Sequence, residues 1–468
     1  MGRRVVVALC ASLFALAAAG HASAFTKQNL TLRMDDGVGL AATLYTPSTP
    51  PPPTGYPAIV LLHGLGGKRQ DLDFIAQSWA DSFAILSFDA RGHGQSGGLV
   101  SIDGPREIAD TRAVFNWLAS RPEINAKRIG AWGISLGGGA ALRSLVEGVP
   151  WAAVEVVQTW TDLYSALAPQ NLSKSGAVYG FLSSVPTNRL DPSVLAIKDD
   201  ALASKNLGAL RQFAAQRSSR KLLSRVKTPI YFFQGRRDFV FDIAQATAGY
   251  RLVHGPKRLY IGDFGHSPST FPGPDIAEVL ADGKRWFTRY LLGVSGAAAP
   301  ISLASDPWRG KAAKFQTLPR TRSVRFAFRG RNTITGVARA ARTSGRRRTP
   351  LETFGSGEVR LTAKLSGGWS RLVAVLSART PRRKTIVVSE GGINTAGMRG
   401  THKLAIHLLN DATLIPRGSK LTLTLASSSL AQDLGNLLYL QLPMPANARV
   451  SLGPARLMLP ALRKPVSR

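Results

Sequence analysis

The stretch Gly133-Ile134-Ser135-Leu136-Gly137 constrains this chain more than any other. It follows the apolar run Arg128-Ile129-Gly130-Ala131-Trp132 and opens into small residues suited to a helix start. That context reads as a strand, a sharp turn and a helix. Such a turn holds its central serine in a strained backbone conformation, and glycines on both sides remove the Cβ clashes it would cause. The Ser135 hydroxyl is then expected to stand free at the top of a sheet, with the Leu136 N–H aimed at the same reacting atom. A chain with 46 glycines can produce G-x-S-x-G by chance, so the neighbouring segments decide its meaning.

Those segments supply partners in a consistent order. Upstream, the apolar run Tyr56-Pro57-Ala58-Ile59-Val60-Leu61-Leu62 ends in His63-Gly64-Leu65-Gly66-Gly67. Acyl transfer needs two N–H donors aimed at a developing oxyanion, and Leu65 and Leu136 are placed to give them. Downstream, Ile230-Tyr231-Phe232-Phe233-Gln234-Gly235 is followed by Arg236-Arg237-Asp238, and Leu259-Tyr260-Ile261-Gly262 by Asp263-Phe264-Gly265-His266. The order Ser135, Asp238, His266 fits a nucleophile, an orienting acid and a general base. Asp242, in the same loop, is a second candidate for the acid. Asp263 is expected to shape its turn and His63 to brace its own loop. His93 reads as a loop residue, and Ser96 as a poor nucleophile candidate. His254, His402 and His407 carry no motif.

Strands alternate with helical runs near residues 71–82 and 105–120, which predicts a parallel sheet with helices on both faces. Ligands of such sheets bind at the carboxyl ends of strands, where His63, Ser135, Asp238 and His266 all fall. Between residues 158 and 226 the alternation stops. Helical runs at 193–203 and 207–215 predict a cap over the site, with Trp160 and Tyr164 lining a substrate pocket. After residue 300 the apolar period becomes two, as in Val324, Phe326 and Phe328 or Leu421, Leu423 and Leu425. Further strand runs near 372–376, 385–388, 404–409, 437–442 and 449–452 predict a β-sandwich of jelly-roll type. The expected organisation is therefore a catalytic domain at 25–295, with its insert at about 158–226, and an all-β domain at 301–468.

Charge supports a division near residue 300. Residues 301–468 hold 29 Lys and Arg against 6 Asp and Glu, whereas residues 1–300 hold 31 against 22. Gly296-Ala297-Ala298-Ala299-Pro300 reads as the linker. The basic excess suggests attraction to an anionic cell-surface polymer, or simply a basic composition. It is scattered over strand faces without an aromatic-basic motif, which speaks against nucleic acid.

At the amino end, Arg3 and Arg4, the apolar residues 5–20 and Ala22-Ser23-Ala24 read as a signal peptide over residues 1–24, implying a secreted protein with no stable membrane span. The only cysteine, Cys10, lies inside it, so neither a disulfide nor a thiolate metal site is expected. The dispersed histidines give no metal spacing, and no cofactor fingerprint appears.

The combination resembles a known group. Residues 28–290 resemble the α/β-hydrolase fold. Asp36-Gly37-Val38-Gly39-Leu40-Ala41-Ala42-Thr43-Leu44-Tyr45 and Asp89-Ala90-Arg91-Gly92-His93-Gly94-Gln95-Ser96-Gly97-Gly98 resemble stretches of the Xaa-Pro dipeptidyl-peptidase and cocaine-esterase-like hydrolases. Ile415-Pro416-Arg417-Gly418-Ser419-Lys420-Leu421-Thr422-Leu423 is similar to part of their jelly-roll domain. The resemblance implies a serine hydrolase with Ser135, Asp238 and His266 as its triad. Members often take an oxyanion donor from a tyrosine beside the first strand loop, where this chain has a glycine-rich loop suited to a backbone donor. That departure, and the want of identifiable carboxylates for a substrate amine, favour an ester over an Xaa-Pro peptide. An inactive surface-binding protein is the third reading.

Overall fold

A computed structural model describes residues 24–296 and 298–467. The expected signal peptide, with Arg3, Arg4 and Cys10, lies outside them but for Ala24. The first domain is built on ten strands: β1 (Phe25–Arg33), β2 (Gly39–Pro47), β3 (Tyr56–Leu62), β4 (Ala84–Phe88), β5 (Ile124–Ile134), β6 (Ala153–Val157), β7 (Ile230–Gly235), β8 (Lys257–Gly262), β9 (Ile301–Ala304) and β10 (Ala312–Phe315). Their order across the sheet is β1-β2-β4-β3-β5-β6-β7-β8-β9-β10. All neighbours from β4 to β9 run parallel. The inner strands are apolar along their whole length because both faces are covered. Along β3, Val60 and Leu62 enter one core while Ile59 and Leu61 enter the other.

Helices α1 (Asp73–Trp79), α2 (Pro105–Ala119) and α3 (Leu136–Val146) fill the first crossovers. After β6 come α4 (Leu163–Leu167), α5 (Ser175–Ser183), α6 (Pro192–Ala203) and α7 (Leu207–Ala215), which form the expected insert. The alternation resumes with α8 (Ile243–Leu252) and α9 (Ile276–Leu291).

The all-β part packs two antiparallel sheets over one apolar core. One contains Thr321–Phe328, Arg449–Leu462, Gly355–Ser366 and Gly400–Asp411, with Asn332–Thr335 also paired to Arg449–Leu462. The other contains Ala340–Arg346, Lys420–Ala426, Arg371–Arg379 and Thr385–Asn394. Alternate residues point inward, so Val359, Leu361, Ala363 and Leu365 are buried while Arg360, Thr362 and Lys364 are exposed.

Two expectations are corrected. The first domain does not stop at 295. β9 pairs in parallel with β8, so the segment read as an interdomain linker joins α9 to β9 within one sheet. The charge shift marked where basic composition begins, and the sheet runs past that point to Phe315. Residues 437–442, read as a strand, form none. Leu438 and Tyr439 are buried in a cluster with Val373 and Val375, and the segment bonds to the cap instead: Gly176 N–H donates to Leu438 O at 3.0 Å and Leu440 N–H to Ser175 Oγ at 2.9 Å.

The two domains meet beneath the loop that follows β7. Arg236 and Glu352 form a fully buried ion pair. Arg236 Nε also donates to Ala412 O at 2.9 Å, and Arg237 donates to Val387 O at 2.9 Å.

Candidate active site

Ser135 sits between β5 and α3 with φ of 53°, a region that L-residues other than glycine rarely occupy. The turn is so tight that a Cβ on Gly133 would stand 2.2 Å from Gly137 O, and one on Gly137 would stand 2.1 Å from Leu62 O. Both glycines are therefore required by close approach. Ser135 N–H donates to Val157 O at 2.9 Å and Thr159 Oγ1 donates to Ser135 O at 2.7 Å, which fixes the strained residue from both sides.

Asp238 and His266 arrive from the ends of β7 and β8. His266 Nε2 lies 3.0 Å from Ser135 Oγ, and His266 Nδ1 lies 2.7 Å from Asp238 Oδ2. The Asp238 carboxylate is buried and accepts three further bonds, from the N–H groups of Val240 at 3.0 Å, Phe241 at 2.8 Å and His266 at 3.1 Å. Acceptor-only, it orients Nδ1 as the donor and leaves the Nε2 lone pair for the serine hydroxyl. The rings of Phe241 and Phe181 stand edge-on to His266, with centroids 5.2 and 6.4 Å away.

The competing residues have other roles. Asp242 caps α8 by accepting from Ala244 N–H at 3.1 Å, and accepts from Asn410 N–H at 2.8 Å. Asp263 accepts from Trp308 N–H at 2.8 Å. His63 is buried. Its Nε2 accepts from Ala90 N–H at 2.9 Å, so its Nδ1 donates to Gly64 O at 2.7 Å, and burial holds its pKa below the ordinary histidine value. His93 Nδ1 bonds Arg91 O at 3.0 Å, and Ser96 Oγ donates to Asp89 O at 2.6 Å.

The His63 loop lies against the nucleophile. Gly137 N–H donates to His63 O at 3.0 Å, and a Cβ on Gly64 would be 3.5 Å from Ser135 Cβ. Leu65 and Leu136 line one cavity together with Ser135, Trp160 and Tyr164. Trp160 Nε1 donates to Arg217 O at 2.8 Å and Tyr164 Oη to Asn171 Oδ1 at 2.9 Å, so both rings are held in place. Sequence reasoning missed the cap contributions from Ile197, Leu210 and Phe213. Their helices were foreseen, but nothing local says which face meets the nucleophile. Among the described residues no three His, Cys, Asp or Glu are grouped to hold a metal ion, and no helix is long and apolar enough to cross a membrane.

Residues 36–268 match the family described as X-Pro dipeptidyl-peptidase (S15 family). The chain belongs to this family. It is a serine hydrolase of the S15 and cocaine-esterase-like group, an esterase or a peptidase. A CocE/NonD family hydrolase from Staphylococcus aureus shares its fold with TM-score 0.71 at 13% identity, over 94% of each chain. An α-amino acid ester hydrolase shares it with TM-score 0.67 at 14% identity, over 94% of this chain and 97% of the other. In sequence, the chain is similar to the quorum-quenching protein AidA of Acinetobacter baumannii, 33% identical over 138 residues. That match spans 29% of this chain and 44% of AidA.

Proposed function

We propose that this S15 hydrolase is an exported carboxylesterase working through Ser135, His266 and Asp238. The observation that carries the reading is the hydrogen-bonded line from Asp238 through His266 to Ser135 Oγ, at 2.7 and 3.0 Å. In that mechanism His266 Nε2 takes the serine proton as Oγ attacks the ester carbonyl, and the N–H groups of Leu65 and Leu136 receive the oxyanion. His266 returns the proton to the leaving alcohol oxygen. Water, deprotonated by the same imidazole, then cleaves the acyl-enzyme and regenerates Ser135.

The cavity at Ser135 favours an ester over an Xaa-Pro peptide. Among the described residues no Asp or Glu lines it, and the one charged lining residue is the cation Lys198. A dipeptidyl substrate would bring its ammonium into that space without a partner. Glu390 faces a different cleft and is engaged by Ser429 Oγ. Export rests on the basic, apolar and Ala-x-Ala pattern of residues 1–24.

The test compares nitrophenyl esters with Xaa-Pro nitroanilides on the purified protein. Ester turnover that exceeds anilide turnover by orders of magnitude is expected. Faster cleavage of the anilides would replace the esterase with the peptidase.

A further inference from the structure

The cavity that opens at Ser135 has about 90 Å³ of free space and a wall that is almost wholly hydrocarbon. Two apolar clusters build it. One joins Leu136, Trp160 and Phe241; the other joins Val100, Leu190 and Val194; Leu65, Ile102 and Phe213 touch both. Helix α6 turns Val194, Ile197, Lys198 and Ala201 toward this space, a spacing that places four side chains on one helical face. Helix α7 adds Leu210, Phe213 and Ala214. Of the hydrogen-bonding groups in the wall, Tyr164 Oη is already spent on Asn171.

The position of the cavity decides which half of an ester it holds. Its lining includes Ser135 and the two oxyanion donors, Leu65 and Leu136, but not His266. The leaving oxygen must lie at His266 Nε2 to receive its proton. The alcohol therefore departs on the imidazole side, and the group that stays bonded to the carbonyl carbon points into the cavity. Next to His266 in sequence, Ser267 and Pro268 border a separate cleft of about 490 Å³.

We propose that the cavity binds the acyl half of the substrate as an uncharged hydrocarbon chain, and that Leu210 and Ile197 of the cap set the length accepted. This rests on the carboxylesterase reading of Ser135. Each methylene removed from water in such a space raises kcat/KM about fourfold if its burial is felt fully in the transition state. An α-ammonium on the same acyl group meets no carboxylate among the described lining residues and meets the charge of Lys198.

The experiment measures kcat/KM for nitrophenyl acetate, butyrate, hexanoate, octanoate and dodecanoate, and for the alanyl ester. The parent and two variants, Leu210→Trp and Ile197→Trp, are compared. The parent is expected to prefer hexanoate to acetate by about tenfold or more, and to cleave the alanyl ester far more slowly than butyrate. Each variant is expected to move the best substrate to a shorter chain. The hexanoate-to-acetate ratio is the readout, because partial misfolding lowers both rates alike. Ile197 is half-buried and tolerates enlargement if Leu210→Trp does not fold. Preference for acetate, parity of the alanyl ester with butyrate, or an unchanged ratio in a folded variant overturns the proposal. Labelling of the same preparations by a fluorophosphonate separates the two layers. A labelled Ser135 with acetate preferred removes only the acyl-chain inference; an unlabelled, folded protein removes the esterase reading and the inference with it.

Discussion

Arg236 of the catalytic domain, two residues ahead of Asp238, is buried against Glu352 of the all-β domain. Glu352 also accepts from the N–H groups of Val466 at 2.6 Å and Ser467 at 3.0 Å. The segment that follows Arg449–Leu462, the all-β domain and the acid loop thus share one carboxylate. Breaking such a pair from one side leaves an uncompensated buried charge, at a cost of about 3–5 kcal/mol. Glu352→Ala is expected to lower the melting temperature steeply and to lower kcat. A double variant, Arg236→Met with Glu352→Leu, is expected to recover most of the stability, read by thermal unfolding.

Asp238 and Asp242 are separated by substitution. Asp238→Asn removes the acceptor at His266 Nδ1 and is expected to lower kcat about ten-thousand-fold with little change in fold. Asp242→Ala removes a helix cap, costs about 1 kcal/mol of stability and leaves kcat near the parent value. Loss of activity in the second variant instead of the first would reassign the acid.

The Ser135 turn tolerates no side chain at Gly133 or Gly137. Gly137→Ala would place a methyl 2.1 Å from Leu62 O, on backbone that cannot yield. The expected outcome is insoluble protein, or soluble protein with neither ester turnover nor a fluorophosphonate label. A folded, active Gly137→Ala protein would show that the elbow is looser than its geometry.

Three buried carboxyls are expected to contribute less to stability as pH rises toward neutrality. Burial pushes Glu107, Glu390 and Asp411 each up to about 7. A carboxyl whose folded pKa lies above its unfolded value holds its proton longer in the folded state, so its contribution is complete below the unfolded pKa and lost as pH passes through the folded one. Between pH 5 and pH 8, roughly the interval spanned by unfolded carboxyls near 4 and these raised values, their contribution to the melting temperature should decline. Glu107→Gln and Glu390→Gln should each flatten that slope in melting curves taken across the interval.

The site was more legible in the sequence than the domain boundary was. Ser135, Asp238 and His266 each follow an apolar run and a glycine turn, so each announces itself within about ten residues. β9 did not, because Ile301-Ser302-Leu303-Ala304 is short and its only sign of membership is a parallel partner, β8, some forty positions earlier. Residues 437–442 misled in the opposite direction. Their leucines are spaced like strand residues, but Leu438 is buried against Phe239 and Val375 while Leu437 is exposed. The Arg236–Glu352 pair joins positions 116 apart, and nothing local in either segment indicates it. The cap helices were foreseen and the face they turn to Ser135 was not, since their burial is set by the cavity and not by helix periodicity alone.

The central claim is that Ser135 is made nucleophilic by His266. It is tested most directly by treating the purified protein with a fluorophosphonate and mapping the adduct by peptide mass spectrometry. The account predicts one adduct, on Ser135, which disappears in Ser135→Ala and forms far more slowly in His266→Ala. An adduct on another serine, or equal labelling of the parent and a folded His266→Ala protein, would contradict it.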